Sequence, residues 1–344
     1  MNEAILAIES TCDETAAAVI DKDGRVLADC VATQEALHER FGGVVPEIAA
    51  RAHVERILPV IDDVLTTAGV DGRDLTAIAV ADRPGLAGSL LVGMVAAKSL
   101  SIAWRRPLVA INHLHAHLYA CAMSRSDPTT AYPAVGLIVS GGHTSLYHCR
   151  TAIDLDYLGG TIDDAAGEAF DKVGAMLNLD FPGGLAVASL AAQGNDQAYR
   201  FPRSMMRDGS DNFSFSGLKT AVRYAIAGPG RVDFSQLAID ESIKADICAS
   251  FEAAVVDVLV AKSRQSIGRL GVERLLVGGG VAANSRLRKE LQAAADEDGF
   301  DLLIAPLERC TDNAVMGSIA WQKIQRGEFA GPNLDITPGL QRGF

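Results

Sequence analysis

The sequence predicts an α/β protein of two duplicated lobes that face each other across a central cleft. Two observations carry this prediction. The order of predicted strands and helices, βββαβαβα, occurs in the first part of the chain and recurs, with one interruption, in the second. A chain of 344 residues with 49% hydrophobic content is also long enough to form two hydrophobic cores.

The first copy begins with three short strands joined by tight polar turns such as "DKDG". A long helix follows, and then a strand, a second helix, a fifth strand and a third helix that begins near residue 113. The strands are "AILAIES", "AAAVID", "VLADC", "LTAIAVAD" and "PLVAI", and the first two helices are "PEIAARAHVERILPVIDDVLTTAG" and "GSLLVGMVAAKSLSIA".

The second copy follows the loop "SRSDPTTAYP" and repeats this order. Its strands are "AVGLIVS", "HTSLYHC", "LDYLGG", "ERLLVGGG" and "DLLIAP". Its helices are "DDAAGEAFDKVGAMLNL", a segment near 240–268, "ANSRLRKELQAAADED" and "DNAVMGSIAWQKIQ". We therefore expect an N-terminal lobe at 1–118, a connecting loop at 119–133 and a C-terminal lobe at 134–344, with a locally basic insertion near 190–240.

Composition limits the class of protein. The net charge of −12 argues against strong unassisted binding to nucleic acid or membrane surfaces. Six scattered cysteines without a CxxC pair are typical of reduced thiols. The first residues do not resemble a signal peptide, and no apolar run is as long as a membrane span. We expect a cytoplasmic protein.

The segment "NHLHAHL" places three of the seven histidines at alternate positions, 113, 115 and 117. A strand would align all three on one face, whereas a helix would pair His113 with His117 and turn His115 away. Asn112 is a good N-cap, and the following Leu and Ala residues favour the helix. The sequence thus predicts His113 and His117 as a pair, either as metal ligands or as ordinary packed and solvated histidines.

The duplication offers a third ligand. If "PLVAI" and "DLLIAP" are equivalent strands, the helices that follow them begin at His113 and near Asp312. Pseudo-symmetry would then bring Asp312 to the two histidines across the cleft, although Asp312 could equally be an ordinary N-cap. Two histidines and a carboxylate with open positions suit Fe(II) or Zn(II). Leu114 replaces the base of a metalloprotease motif, so peptide hydrolysis is disfavoured.

Three glycine-bearing turns could admit an anion or nucleotide: "PGLAGS", "SGGHTS" and "GGGVAANS". The turn "ESTCDETAAAV" could grip phosphate through the hydroxyls of Ser10, Thr11 and Thr15, or it could simply be a polar hairpin. Asp171 could accept a ribose hydroxyl, although a solvated acid is the ordinary interpretation of such a residue.

Ten ordered segments, which span residues 4–320, resemble the motifs of the bacterial tRNA N6-adenosine threonylcarbamoyltransferases. They are "IESTCDET", "GGVVPEIAARAH", "PGLAGSLLVG", "NHLHAH", "VSGGHT", "GEAFDKV", "FPGG", "FSFSGLKTA", "GGGVAANSRLR" and "CTDNAVM". This family was formerly called O-sialoglycoprotein endopeptidase. Two positions depart from its pattern: Arg83 stands where glycine is usual, and Leu185 where proline is common.

The resemblance implies an actin-like, sugar-kinase-like (ribonuclease H-like) fold. It implies transfer of threonylcarbamoyl from threonylcarbamoyl-AMP to N6 of adenosine 37 in tRNAs that read codons starting with A. Metal positions match His113, His117 and Asp312, with Fe(II) favoured over Zn(II). Adenylate positions match Ile138, Val139, Ser140, Gly141, Gly142, Asp171, Gly184 and Asn284.

The resemblance also implies an inactive sister subunit, paired through the N-terminal lobe, and a helper ATPase. Our first choice for an RNA-facing surface is the basic insertion with Arg200, Arg203, Arg207, Lys219 and Arg223, although charged insertions are usually only solvated. Asp13 and His143 are weak candidates for a general base. The alternatives are a nucleotide-dependent chaperone or regulatory ATPase of the same fold, and a carbamoyltransferase acting on a small molecule.

Overall fold

The fold is taken from a computed structural model, which describes residues 3–228 and 239–339. The chain divides into two compact units. Unit 1 comprises Met1–Thr130, Thr151–Asp154 and Pro306–Phe344, and unit 2 comprises Ala131–Arg150 and Leu155–Ala305.

Unit 1 contains a mixed five-stranded sheet of order β3-β2-β1-β4-β5. Its central strand β1 is apolar except for Glu9 and is buried at all six positions, because it has neighbours on both edges and both faces. The strands are β1 (Ala4–Glu9), β2 (Glu14–Asp21), β3 (Val26–Thr33), β4 (Ala77–Arg83) and β5 (Leu108–Asn112). The helices in the first segment of unit 1, which ends at Thr130, are α1 (Glu35–His38), α2 (Pro46–Ala68), α3 (Ala87–Trp104) and α4 (His113–Ala122).

Unit 2 contains a second five-stranded sheet, of order β8-β7-β6-β9-β10. Its strands are β6 (Ala134–Val139), β7 (Thr144–Cys149), β8 (Leu155–Gly160), β9 (Arg274–Gly278) and β10 (Asp301–Ile304). Its helices are α5 (Ala166–Met176), α6 (Gly183–Ala191), α7 (Ser216–Ala227), α8 (Glu241–Leu270) and α9 (Ser285–Asp298).

The predicted duplication is confirmed by strand pairing. In each sheet the first strand pairs antiparallel with the second and parallel with the fourth. After β9 the chain passes close to β6, and a Cβ on Gly279 would lie 2.5 Å from the Val139 carbonyl oxygen. Gly279 also has a φ of +98°, so both space and backbone conformation require glycine there.

The final segment differs from the sequence-based prediction, which placed residues 306–339 in the C-terminal lobe. It packs within unit 1 instead, where the Ala330 N–H donates to the Leu108 carbonyl and the Thr337 N–H donates to the Asp82 carbonyl. These are backbone contacts between residues distant in sequence, which no residue pattern reveals.

The predicted helix at 312–325 also differs in form. It is a 3-10 segment, Ala314–Ile319, followed by α10 (Ala320–Gln325). A Cβ on Gly317 would lie only 2.7 Å from the Ala7 Cβ of β1. This turn therefore lies tightly against the central strand of unit 1.

The interruption near 190–240 contains helix α7, which the repeated order of strands and helices does not predict. Helix α6 ends where the interruption begins, and it packs against α8. Residues 229–238 of the basic insertion lie outside the described part of the chain.

Helix α3 is long and apolar enough to span a membrane by length and composition, contrary to the expectation that no apolar run reaches that length. Its Leu90, Met94 and Ala97 are buried in unit 1. A core helix meets the same criteria, so this helix is weak evidence for a membrane span.

Candidate metal centre and substrate loops

The histidine segment is a helix, as predicted. The Asn112 side chain accepts hydrogen bonds from the backbone N–H groups of Leu114 and His115, so it caps α4. His113 and His117 then lie one turn apart, with ring centroids 4.6 Å apart and ring planes near perpendicular. Both imidazoles are buried, at 6% and 1% exposure.

Asp312 lies beside these two histidines. Its Oδ1 is 3.0 Å from His117 Nε2 and 3.5 Å from His113 Nε2. One potential ligand atom from each residue lies within 4.8 Å of the others. All three residues belong to unit 1, because the segment that carries Asp312 packs there.

Glu9 and Thr11 contact the other nitrogen of His113, and Glu9 is not among the site residues that the sequence predicts. Glu9 Oε2 and Thr11 Oγ1 each lie 3.2 Å from His113 Nδ1. Burial alone would lower the pKa of His113, but the carboxylates of Asp312 and Glu9 outweigh it and raise that pKa to about 9. The sequence signal that could have identified Glu9 as a site residue is its position at the end of a central strand.

The arrangement can hold a cation. Two imidazole nitrogens and one carboxylate oxygen converge, and without a proton or metal ion between them their lone pairs would face one another. The mixture of nitrogen and oxygen ligands fits a first-row divalent metal. With three protein ligands, a bound metal ion would have open coordination positions, as a reactive rather than purely structural site requires.

His115 has a different environment. Burial, together with the positive charges of Lys323 and Arg83, lowers its pKa to about 4. The guanidinium of Arg83, one of the two departures from the family pattern, pairs with the buried carboxylate of Asp82. His115 is therefore not a third member of the histidine site.

The turn between β1 and β2 is acidic. Burial, with the neighbouring charges of Asp312 and Asp13, raises the pKa of Glu14 to about 10. Burial also raises the pKa of the Cys12 thiol, and the carboxylate of Asp13 adds to this effect. Asp13 thus lies in unit 1 with the histidines, among groups held in their neutral form.

The three hydroxyls predicted to grip phosphate make internal hydrogen bonds. Ser10 donates to the Ser89 carbonyl, and Thr11 contacts His113. His53 Nε2 must donate to the Cys12 carbonyl, so its Nδ1 accepts the Thr15 hydroxyl proton at 2.8 Å. All three side chains are at most 3% exposed and stabilise the turn.

In unit 2, residues 138–142 form the end of β6 and the turn to β7. Ile138 and Val139 are fully buried, whereas Gly141 and Gly142 are exposed with open space at their Cβ positions. The His143 N–H donates to Ser140 Oγ, and the Ser140 N–H donates to the His143 carbonyl. This reciprocal pair fixes the turn and leaves the glycine backbone accessible.

Asp171 and Gly184, two of the positions that match the family's adenylate site, lie together. Asp171 Oδ1 accepts from the Gly184 N–H at 3.3 Å near the start of α6. Burial nevertheless raises the pKa of this carboxyl. Leu185, the second departure from the family pattern, is 70% exposed and so contributes little to the core.

Asn284 caps α9. Its Oδ1 accepts from the Leu287 N–H at 2.9 Å, and its Nδ2 donates to Glu252 Oε1 at 2.7 Å. Burial raises the pKa of Glu252. Each polar atom of the Asn284 side chain therefore has a partner within unit 2.

These features define a duplicated α/β protein of the actin-like, sugar-kinase-like fold with a histidine–carboxylate centre in its first unit. A crystal structure of full-length HypF in a phosphate- and nucleotide-bound form has this fold. It matches 94% of this chain and 46% of its own chain, with a TM-score of 0.62 and 15% identity.

Sequence comparison identifies the family. The family model for tRNA N6-adenosine threonylcarbamoyltransferase matches residues 25–321. The protein of that name from Rhodopirellula baltica is 71% identical, over 100% of this chain and 98% of its own. The one from Anaeromyxobacter dehalogenans strain 2CP-C is 48% identical, over 97% and 98%. The chain belongs to the tRNA N6-adenosine threonylcarbamoyltransferase family, and it is a transferase.

Proposed function

We propose that this protein transfers the threonylcarbamoyl group from threonylcarbamoyl-AMP to N6 of adenosine 37 in tRNAs that read codons starting with A. The observation that carries the proposal is the convergence of His113, His117 and Asp312 in a chain of this family. A protein that only binds nucleotide has no need of an imidazole-based metal centre.

The metal we propose for this centre is Fe(II), with Zn(II) as the alternative. Two histidines and one carboxylate with open positions suit non-haem iron, and the same ligands bind zinc. When bound, the ion would serve as a Lewis acid toward carbamoyl and phosphate oxygens. Metal analysis of protein purified without oxygen distinguishes the two.

The residues of unit 2 would bind the adenylate. The exposed backbone of Gly141 and Gly142 lets a ligand approach closely. Asp171 offers a carboxyl to a ribose hydroxyl, with its orientation fixed by the Gly184 N–H. The Asn284 side chain is held in place by Leu287 and Glu252, and its Nδ2 has a second N–H with which it would donate to the substrate.

The attacking amine of adenosine must lose a proton, and Asp13 and His143 are the candidates to accept it. Asp13 lies in unit 1 beside Glu14, whereas His143 lies in unit 2 after the glycine turn. The amine is a weak nucleophile, so most of the acceleration should come from orientation and charge stabilisation.

The basic insertion is our proposed tRNA-facing surface. Three of its cations already contact other side chains of the protein. Arg203 pairs with Asp257, Lys219 pairs with Asp164, and Arg223 lies over the Tyr224 ring. Arg200 and Arg207 are exposed and are therefore the candidates for phosphate contacts.

The proposed partners are an inactive sister subunit and a helper ATPase, in the cytoplasm. Exposed apolar side chains on α2 and α3 support an interface in unit 1, because such patches mark interaction sites. They are Val54, Leu58, Leu91, Val95 and Ile102, with 49% to 79% of each residue exposed.

Deleting the gene should remove threonylcarbamoyladenosine from bulk tRNA, and a plasmid copy carrying His113→Ala should fail to restore it. Mass spectrometry of tRNA nucleosides measures both. His148→Gln is the matched control, since it alters a histidine of β7 in unit 2 and should restore the nucleoside. Normal levels of the modified nucleoside in the deletion strain, without a second gene copy, would refute the proposed function.

A further inference from the structure

We infer that Glu9 is a positioning residue that fixes the tautomer of His113, so that Nε2 of this imidazole is the metal-binding atom. This inference rests on the proposed metal centre and deepens it. Its starting point is that Glu9 is a carboxylate whose side chain is only 5% exposed. A buried carboxylate is costly unless each oxygen has a partner.

Both oxygens of the Glu9 carboxylate have a hydrogen-bond partner. Oε1 accepts the backbone N–H of Thr11 at 2.8 Å, which holds the carboxylate at the end of β1. Oε2 lies 3.2 Å from His113 Nδ1. An ionised carboxylate can only accept, so the proton of this contact must be on Nδ1.

The proton on Nδ1 also determines what the other ring nitrogen of His113, Nε2, can bind. In the neutral ring the proton stays on Nδ1, so Nε2, which lies 3.5 Å from Asp312 Oδ1, is the nitrogen left free to bind a cation. A carboxylate behind a ligating histidine fixes its orientation and increases its basicity. Glu9 therefore prepares His113 for a cation.

The second histidine lacks such support. Nδ1 of His117 is buried and has no hydrogen-bond partner among the described residues. The two imidazoles are thus unequal. Glu9 supports His113 through its Nδ1, whereas none of the described residues supports His117 in this way.

Glu9→Gln tests the inference, because the substitution keeps size and the Thr11 contact. Its amide NH2 would donate to His113 Nδ1 and move the ring proton to Nε2. We expect Zn²⁺ affinity, measured on the full chain by chelator competition, to fall about 10- to 100-fold. Asp21→Asn is the matched control, since it removes another buried carboxylate of the same sheet, and it should bind Zn²⁺ like wild type.

Wild-type affinity in a folded Glu9→Gln variant would overturn the inference, and so would an equal loss in Asp21→Asn. If the variant does not fold, ¹⁵N NMR of Zn²⁺-loaded wild-type protein decides. The expected signature at His113 is a protonated Nδ1 and a metal-bound Nε2, and the reverse pattern would overturn the inference. The metal centre itself fails separately, if wild type binds no Zn²⁺ or if His113→Ala binds it equally well.

Discussion

His53 fastens the turn between β1 and β2 with both of its ring nitrogens. Its Nε2–H donates to the Cys12 carbonyl at 3.0 Å, and its Nδ1 accepts from the Thr15 hydroxyl at 2.8 Å. The ring is fully buried, and burial lowers its pKa so that it remains neutral. A single side chain of α2 thereby fixes the turn that carries Asp13 and Glu14.

His53→Ala should lower the free energy of unfolding of unit 1 by about 2–4 kcal/mol. It leaves the buried Thr15 hydroxyl without its partner, and it removes one of two donors to the Cys12 carbonyl, which keeps its bond from Ser89 Oγ. Urea denaturation followed by tryptophan fluorescence measures this, since both tryptophans, Trp104 and Trp321, belong to unit 1. Thr15→Val removes only one of the two bonds and should cost about 1 kcal/mol. A change below about 0.5 kcal/mol in His53→Ala would show that the bonds are not needed.

At the scale of elements, α7 depends on a carboxylate outside itself. Phe215 precedes the helix and supplies no side-chain cap. Asp163, in the turn after β8, accepts from the N–H groups of Phe215 and Ser216 and from two serine hydroxyls. Burial alone would raise the pKa of Asp163, but these hydrogen bonds outweigh it and lower it.

Asp163→Ala should reduce amide hydrogen-exchange protection in the first turn of α7 about 2- to 30-fold, the usual range for a lost cap. Because the native pKa lies below the ordinary value, the stabilisation is complete above the ordinary carboxyl range and disappears as pH falls through the native pKa. Asp163→Asn keeps an acceptor and should lose this pH dependence. Asp156→Ala, which removes only an exposed ion pair with Arg150, should leave α7 unchanged.

At the scale of the whole molecule, several apolar side chains of α2 and α3 are exposed on the surface of unit 1 instead of being packed in its core. Leu58→Asp with Val95→Asp should abolish copurification of the proposed sister subunit while unit 1 stays folded, because both side chains face solvent. Phe329→Asp, at an exposed position elsewhere in unit 1, should not. Undiminished copurification of the double variant would move the interface elsewhere.

Much of this architecture follows from local pattern. Alternation and apolar runs predicted the ten strands of the described chain, and their repeated order predicted the duplicated topology. Asn112 before a Leu- and Ala-rich stretch predicted α4 and the pairing of His113 with His117. These signals suffice because capping and periodicity depend only on neighbours in sequence.

Other features depend on contacts between distant residues. Asp312 was expected to reach the histidines from the opposite lobe, but its segment packs within unit 1 through backbone bonds to β4 and β5. The Glu9 contact with His113 joins residues 104 positions apart. The sequence could determine which residues carry chemistry, because their types and spacing are local. Only the tertiary structure could decide which nitrogen meets which carboxylate, because hydrogen bonding and burial arise when separate elements pack together.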